Sequence, residues 1–270
     1  MIINNINPTI FHLGPLSIRY YGLVYALGFI GTYFYLQYKI KKRKIDLNLD
    51  ELDSLMIYLI IGVIIGGRLG EFLFFRPLEL ITKPLEILFI WHGGMSFHGG
   101  LIGVAIAMYL FTKQYKKNFF EILDKLVIPL SIVLVFGRIA NFINGELVGT
   151  ISKLPWATNF HNEVNGLGER VFRHPSQIYE AIKNLVVFFI LIIIDQKNKL
   201  KKKTKQKELI GTITWWFVLL YGFGRFITDF FRADNHWFMG IISTGQLLSL
   251  IMGLLASYIL IKKYYFLKKK

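Results

Sequence analysis

Runs of apolar residues long enough to cross a lipid bilayer recur along the whole chain. A helix needs about 20 such residues to cross roughly 30 Å of hydrocarbon. We predict seven of them, at about residues 20–38, 52–75, 88–111, 121–144, 177–195, 210–231 and 240–261. Only 18% of the residues are charged, whereas a soluble domain has near a quarter. The sequence therefore predicts an all-α, polytopic membrane protein with seven transmembrane helices, a single integral-membrane domain over residues 1–270.

Lysine-rich blocks predict how these helices are oriented. The formal net charge is +15, but the lysines lie in short blocks beside apolar segments, which argues against a nucleic-acid partner. The blocks occupy residues 39–44, 113–117, 197–207 and 262–270, after the first, third, fifth and seventh segments. Positive residues mark cytoplasmic loops. We therefore expect the N-terminus outside, the C-terminus in the cytoplasm, and a small outside cap at about residues 146–175.

Arginine inside apolar segments is the second unusual feature. The stretch "GRIANFINGELVGT" places Arg138 and Asn141 at the outer end of the fourth segment, just before Glu146. An arginine at the centre of a transmembrane helix costs roughly 2.5–3.5 kcal/mol on insertion scales, so it normally faces protein or water and has a function. Arg68 in the second segment and Arg225 in the sixth fall at the same predicted depth. Three segments thus bring arginine to the outer leaflet.

Further polar side chains fall at this level. In "YGFGRFITDFFR", Tyr221, Arg225 and Arg232 share one helix face, and Asp229 follows Arg225 by one turn. The outer half of the third segment carries His92 and His98, and Tyr21 lies at the outer start of the first segment. Glycines accompany them in the second and third segments, where small residues let helix backbones approach closely.

Together these groups predict a cationic cavity that opens to the outside. Arginine binds phosphate through two parallel hydrogen bonds, and a lipid phosphate is the natural anion at this depth. Histidine, with an ordinary pKa near 6.5, is the usual general base. The predicted cavity therefore suits a reaction in which a phosphate is held and a proton is removed.

Six motifs, in order along nearly the whole chain, resemble the signatures of the bacterial prolipoprotein diacylglyceryl transferase family. They are "RYYGLVYALGF" (19–29), "GGRLG" (66–70), "HGGLIG" (98–103), "GRIANFINGELVG" (137–149), "HPSQIYE" (174–180) and "YGFGRFITDFFR" (221–232). The resemblance implies the first step of lipoprotein maturation at the bacterial plasma membrane. Phosphatidylglycerol would give its diacylglyceryl group to the lipobox cysteine of a preprolipoprotein signal peptide. A thioether would form, and glycerol-1-phosphate would leave.

The resemblance also implies roles for individual residues. The expected catalytic residues are Tyr21, His98, Arg138, Asn141, Glu146 and Arg225. The expected phosphatidylglycerol-binding residues are Arg68, Arg138, Asn141, Gly149, Tyr221, Arg225, Asp229 and Arg232. In this hypothesis Arg138 and Arg225 hold the phosphate, and His98 accepts the thiol proton. Two positions depart from the family pattern: Asp229 stands where glutamate is expected, and Val148 where an aromatic residue is usual.

The implied chemistry is consistent with the composition. The chain has no cysteine, so the attacking sulfur must come from the partner protein. A free thiol has a pKa near 8.5 and needs a base or a positive field, and arginines stabilise the charge that develops on the departing phosphate. Neither metal-ligand spacing nor a nucleotide-binding loop is visible, so we expect no metal and no cofactor. One chain is expected to build the cavity and to function as a monomer.

Other interpretations remain open at this stage. Glu146 or a hydroxide-bearing water could replace His98 as the base. Arg138 could simply extend to the lipid headgroups, and Arg68 or Arg225 could form structural pairs with Glu71 or Asp229. A secondary transporter of an anionic solute also buries charges, but it usually shows internal repeats. A serine protease built on Ser96 and His98 would need another helix, because residues two apart on a helix point apart.

Overall fold

The computed structural model describes residues 1–13, 16–89, 93–199, 210–233, 237–238 and 242–269, and these are mostly helical. The helices are α1 (Tyr20–Lys41), α2 (Leu49–Phe74), α3 (Pro77–Thr82), α4 (Phe97–Gln114), α5 (Phe119–Asn144), α6 (Ser176–Lys199), α7 (Thr212–Thr228) and α8 (Thr244–Lys269). Short 3-10 helices occupy Pro84–Leu88 and Asp229–Phe231. The strands are β1 (Ile2–Asn4), β2 (Thr9–Leu13), β3 (Leu16–Arg19), β4 (Thr158–Phe160), β5 (Trp237–Phe238) and β6 (Ile242–Ser243).

Long apolar helices dominate the described chain, as the sequence predicts. Each of the seven predicted segments overlaps one of the long helices α1, α2 and α4–α8. Four described stretches are long and apolar enough to cross a membrane: Leu49–Phe74, Phe119–Asn144, Ser176–Asn198 and Gly245–Tyr265. The prediction of a largely helical membrane protein is therefore supported, while the count of seven spans and their orientation stay predictions.

The third predicted segment begins later than expected. The sequence predicts it at about residues 88–111, but α4 begins at Phe97. Ser96 is the reason, because its hydroxyl accepts a hydrogen bond from the Gly99 backbone at 3.2 Å and so caps the helix. This cap gives Ser96 a structural role in place of the imagined protease nucleophile. His92 lies outside the described residues.

Short β-pairs are present that the sequence analysis did not predict. Strand β1 pairs in parallel with β4, with Ile2 opposite Thr158, whereas β2–β3 and β5–β6 are antiparallel. Asn4 also connects β1 to the end of α5, since its side-chain amide donates to the Phe142 carbonyl. Strands of two to five residues carry too little side-chain alternation to be recognised in the sequence.

The chain divides into two compact units. The first contains residues 1–32 and 123–270, and the second contains residues 33–122. In the first unit α7 packs against both α6 and α8. Asp124, buried on α5, accepts hydrogen bonds from the Gly211 and Thr214 backbone amides at 2.7 and 2.8 Å and so anchors the start of α7.

In the second unit α2 and α4 meet through glycines. A Cβ atom added to Gly66 would lie 2.4 Å from the Gly99 carbonyl oxygen, and one added to Gly103 would lie 2.0 Å from that of Gly62. Real side chains do not tolerate such distances, so the two backbones are in direct contact. The glycine pattern therefore serves helix packing, which is one of the two uses the sequence suggests.

This contact predicts opposite effects for one substitution at two positions of α4. Gly103→Ala is expected to destabilise the protein by roughly 1–3 kcal/mol, the usual cost of overpacking. Gly100→Ala is the matched control, because the nearest atom to its added Cβ lies 3.8 Å away, and alanine gains up to about 1 kcal/mol of helix propensity. Thermal unfolding in one detergent measures both. Equal midpoints for the two variants would contradict the backbone contact.

Candidate active site

A buried carboxylate on α6 receives arginine side chains from other parts of the first unit. Glu180 is the fifth residue of α6, and its side chain is only 1% exposed. The Nε atom of Arg138, on α5, lies 2.8 Å from Glu180 Oε2. Arg225, on α7, contacts Glu180 Oε1, and an Nη atom of Arg232 lies 3.6 Å from the same oxygen. Two of the three arginines expected at one depth, Arg138 and Arg225, thus contact one carboxylate, and Arg232 lies close to it.

Asp229 is the second carboxylate of this cluster. Its Oδ1 atom lies 2.7 Å from Arg225 Nη2 and 3.7 Å from Arg232 Nε. Its other oxygen accepts a hydrogen bond from the Ser243 hydroxyl. Gly245 leaves room for it, because an added Cβ there would lie 3.0 Å from Asp229 Oδ2. The structural pair of Arg225 with Asp229 that the sequence left open is therefore formed, as one edge of a larger cluster.

We call the five residues Arg138, Glu180, Arg225, Asp229 and Arg232 the arginine cluster. Three guanidinium groups face two carboxylates, so its formal charge is 3 − 2 = +1. Arg138 and Arg225 remain 18% and 19% exposed, whereas the carboxylates are 1–2% exposed. Buried charge is costly unless it is compensated. The surplus positive charge, on side chains that are still accessible, is suited to binding an anion.

A turn after α5 joins Asn141 to Glu146. The Asn141 side-chain amide donates to Glu146 Oε2 at 3.2 Å, and the Glu146 backbone amide donates to the Asn141 carbonyl at 3.0 Å. Gly145 permits this turn with a φ of +67°, a left-handed conformation that favours glycine. Gln177, near the start of α6, donates to the Glu146 carbonyl at 2.6 Å. The turn therefore fixes the ends of the two helices that carry Arg138 and Glu180.

Gly149 lies where three backbone segments converge. Its amide donates to the His174 carbonyl at 3.0 Å, and a Cβ added to it would lie 2.4 Å from that oxygen and 2.5 Å from the Phe231 carbonyl. Thr150 donates to Phe231 at 3.0 Å, and Ala233 donates to the Val148 carbonyl at 3.2 Å. These bonds join the α5–α6 connection to the segment that carries Arg232. They explain the glycine structurally, while its role in binding lipid stays a prediction.

The rest of the α5–α6 connection is stabilised by an ion pair. Arg173 donates to both oxygens of Glu163, at 2.8 and 2.6 Å. These charged hydrogen bonds hold the pKa of Glu163 below its ordinary value and raise that of Arg173. Buried Asn159 completes the framework by donating to the Glu163 and Val171 carbonyls at 2.8 and 2.7 Å. Partial burial lowers the pKa of His174, which favours a neutral imidazole at neutral pH.

Two tyrosines expected in the site lie in the first unit. The hydroxyl of Tyr21 is 3.0 Å from that of Tyr25 on the next turn of α1, and Tyr25 interacts electrostatically with Arg138. The ring of Tyr221, on α7, lies beneath the ammonium group of Lys183 at 3.9 Å. Both tyrosines are therefore linked to groups in or beside the arginine cluster.

Arg68 and His98 belong to the second unit. The Arg68 guanidinium donates to the carbonyls of Glu86, Ile87, Phe89, Gly93 and Gly94, which uses all five of its N–H groups. Glu71 pairs instead with Arg76 at 3.4 Å. Arg68 thus has a clear structural role, and its binding of lipid stays a prediction. His98 is the second residue of α4 and is exposed; its role as proton acceptor also stays a prediction.

Glu180 is the functional candidate that sequence reasoning missed. Its position near the start of a helix, after "HPSQ", suggested only the usual acidic residue of a first turn. The available signal was its position inside the fifth apolar segment, at residues 177–195. A carboxylate there needs a cation, and three arginines were already assigned to the same depth.

Comparison with known proteins gives one consistent result. Residues 8–262 match the model of a family described as "Prolipoprotein diacylglyceryl transferase". The chain is 40% identical over 264 residues to the phosphatidylglycerol--prolipoprotein diacylglyceryl transferase of Dechloromonas aromatica, covering 96% of this chain and 95% of that protein. It is also 40% identical over 264 residues to the protein of the same name from Rickettsia akari, with 96% and 98% covered.

Proposed function

The chain belongs to the prolipoprotein diacylglyceryl transferase family, and we propose that its arginine cluster binds the phosphate of phosphatidylglycerol during transfer of the diacylglyceryl group to a prolipoprotein cysteine. The observation that carries the proposal is the pair of arginines from α5 and α7 on the buried Glu180. The carboxylate orients both guanidinium groups before any lipid arrives. Groups held in place in this way stabilise developing charge without reorganisation.

The reaction is a displacement at the glycerol carbon that carries the phosphate ester. The sulfur of the lipobox cysteine attacks this carbon, and the bond from carbon to the phosphate oxygen breaks. The phosphate oxygen takes the bonding electron pair, so that glycerol-1-phosphate leaves with more negative charge than the phosphodiester had. Arg138 and Arg225 offset this charge. His98 accepts the thiol proton, while Tyr21, Asn141 and Glu146 position the reacting groups.

The placement in the membrane is part of the proposal. Seven long helices cross the bacterial plasma membrane, with the N-terminus outside and the C-terminus in the cytoplasm. This arrangement is supported by the lysine blocks after the first, third, fifth and seventh predicted segments. It puts Arg138, near the end of α5, and Glu180, near the start of α6, in the outer leaflet. A single chain supplies the whole arginine cluster, so we propose that it functions as a monomer.

The test is reconstitution of the purified protein in vesicles that contain phosphatidylglycerol, with a lipobox peptide. We expect a thioether-linked diacylglyceryl peptide and an equal amount of glycerol-1-phosphate, both measured by mass spectrometry. A peptide with serine in place of the lipobox cysteine, and vesicles of phosphatidylcholine alone, are expected to give no product. Anion flux across the vesicle membrane without thioether formation would contradict the proposal in favour of transport.

A further inference from the structure

Lys183 lies inside the first unit beside the arginine cluster, and the proposed mechanism gives it no role. Its ammonium group sits 3.9 Å from the centre of the Tyr221 ring. Its stem crosses α7 at Gly224, where an added Cβ would lie 2.5 Å from Lys183 Cγ and Cδ. Gly224 leaves room for the stem of Lys183, and the Tyr221 ring contacts its ammonium group. These two contacts fix the position of the side chain.

The Nζ atom of Lys183 is buried and has no hydrogen-bond partner among the described residues. By contrast, Lys125, a lysine of the same unit whose side chain is 14% exposed, lies 2.9 Å from a carboxylate oxygen of Asp195. A buried ammonium without an acceptor is costly, and charged residues in membrane segments usually have a partner or a function. The Tyr221 ring offsets part of this cost by a cation–π contact, but it supplies no oxygen. An oxygen ligand is the partner that fits.

The position of Lys183 beside the arginine cluster indicates that the oxygen ligand is a phosphate. It follows Glu180 by three residues on α6, a rise of about 4.5 Å along the helix. Its charge interacts with Glu180, Arg138 and Arg225. With Lys183 protonated, the group contains four cations and two carboxylates, and its formal charge is 4 − 2 = +2. The phosphodiester of phosphatidylglycerol carries one negative charge, and glycerol-1-phosphate carries nearly two at neutral pH.

We propose that Lys183 is a further substrate-binding residue, whose ammonium group donates to a phosphate oxygen of phosphatidylglycerol and of the departing glycerol-1-phosphate. This inference rests on the proposed function. The arginines bind the single charge of the ground state, and the charge of +2 matches the product dianion. Lys183 therefore contributes most as the carbon–oxygen bond breaks, when the second charge appears on the phosphate.

The experiment measures transfer and product inhibition in Lys183→Met, which keeps the length of the side chain and removes the charge. We expect kcat/KM to fall about 10- to 100-fold, the order expected for one lost hydrogen bond to a charged group. We also expect the inhibition constant of added glycerol-1-phosphate to rise about tenfold or more. Lys183→Arg is expected to restore most of the glycerol-1-phosphate affinity, because it restores the charge.

Lys125→Met is the matched control, since it also removes a largely buried lysine from a long helix of the first unit. It removes the ion pair between Lys125 and Asp195 and is expected to lower thermal stability without changing the inhibition constant. An unchanged inhibition constant in Lys183→Met would overturn the inference, and so would a loss of stability that accounts for the whole loss of activity. Failure of the unsubstituted protein to form thioether would instead contradict the proposed function.

Discussion

Replacement of Arg138 by lysine is expected to lower kcat for diacylglyceryl transfer by about 100-fold or more, the usual scale for one lost group that stabilises developing charge. Arg138 uses Nε to contact Glu180 at 2.8 Å, and in the proposed mechanism its two Nη atoms bind the phosphate. Lysine has one nitrogen and cannot serve the carboxylate and the phosphate in the same way. The loss should appear mainly in kcat, because the phosphate gains negative charge between the bound substrate and the transition state.

Arg170→Lys provides the control, because Arg170 is an exposed arginine of the α5–α6 connection and has no part in the proposed mechanism. Both variants would be assayed for thioether formation in the same phosphatidylglycerol vesicles. If Arg138→Lys retained a rate close to that of Arg170→Lys, Arg138 would only contact the lipid headgroups. The proposal that Arg138 binds the reacting phosphate would then be contradicted.

Glu180→Gln is expected to have the largest effect on stability. The amide preserves the shape but removes the charge that offsets Arg138, Arg225 and Arg232. Breaking a buried ion pair from one side typically costs about 3–5 kcal/mol, because the partner charge stays buried. We expect a markedly lower midpoint of thermal unfolding in neutral detergent. Part of the loss should be recovered when phosphatidylglycerol is added, since its phosphate supplies the missing anion.

The comparison for this variant is Glu169→Gln, which neutralises an exposed carboxylate of the α5–α6 connection. Its midpoint should stay close to that of the unsubstituted protein, with or without phosphatidylglycerol. If Glu180→Gln unfolded at the same temperature as Glu169→Gln, Glu180 would not be the carboxylate that holds the guanidinium groups together.

The arginines were predictable because their cost is visible in the sequence. An arginine in an apolar segment has few explanations, so the sequence alone marks Arg138 and Arg225 as candidate functional residues. Glu180 did not stand out, because a carboxylate in the first turns of a helix already has a common explanation. Its true environment depends on α5 and α7, which are distant in sequence from α6. Only packing brings these helices to the same carboxylate.

For Arg68 the sequence suggests a binding role, whereas the structure shows that its donors are used within the protein. Its sequence context is as unusual as that of Arg138, yet its five donors go to backbone carbonyls between Glu86 and Gly94. Those carbonyls belong to the 3-10 helix Pro84–Leu88 and to described residues between it and α4, and the sequence analysis places residues 88 onward inside a transmembrane helix. Buried backbone carbonyls need hydrogen-bond donors, and the carbonyls that Arg68 reaches cannot be identified from residue types.

The backbone bonds around Gly149 have a consequence for the order of events in each turnover. They tie the α5–α6 connection to the residues on both sides of Arg232, so this connection cannot swing aside without displacing that guanidinium. If this connection moved outward to admit substrate in each catalytic cycle, Arg232 would move with it and the arginine cluster would come apart. We expect the arginine cluster to stay assembled throughout the cycle, while lipid and peptide enter and leave laterally from the surrounding bilayer.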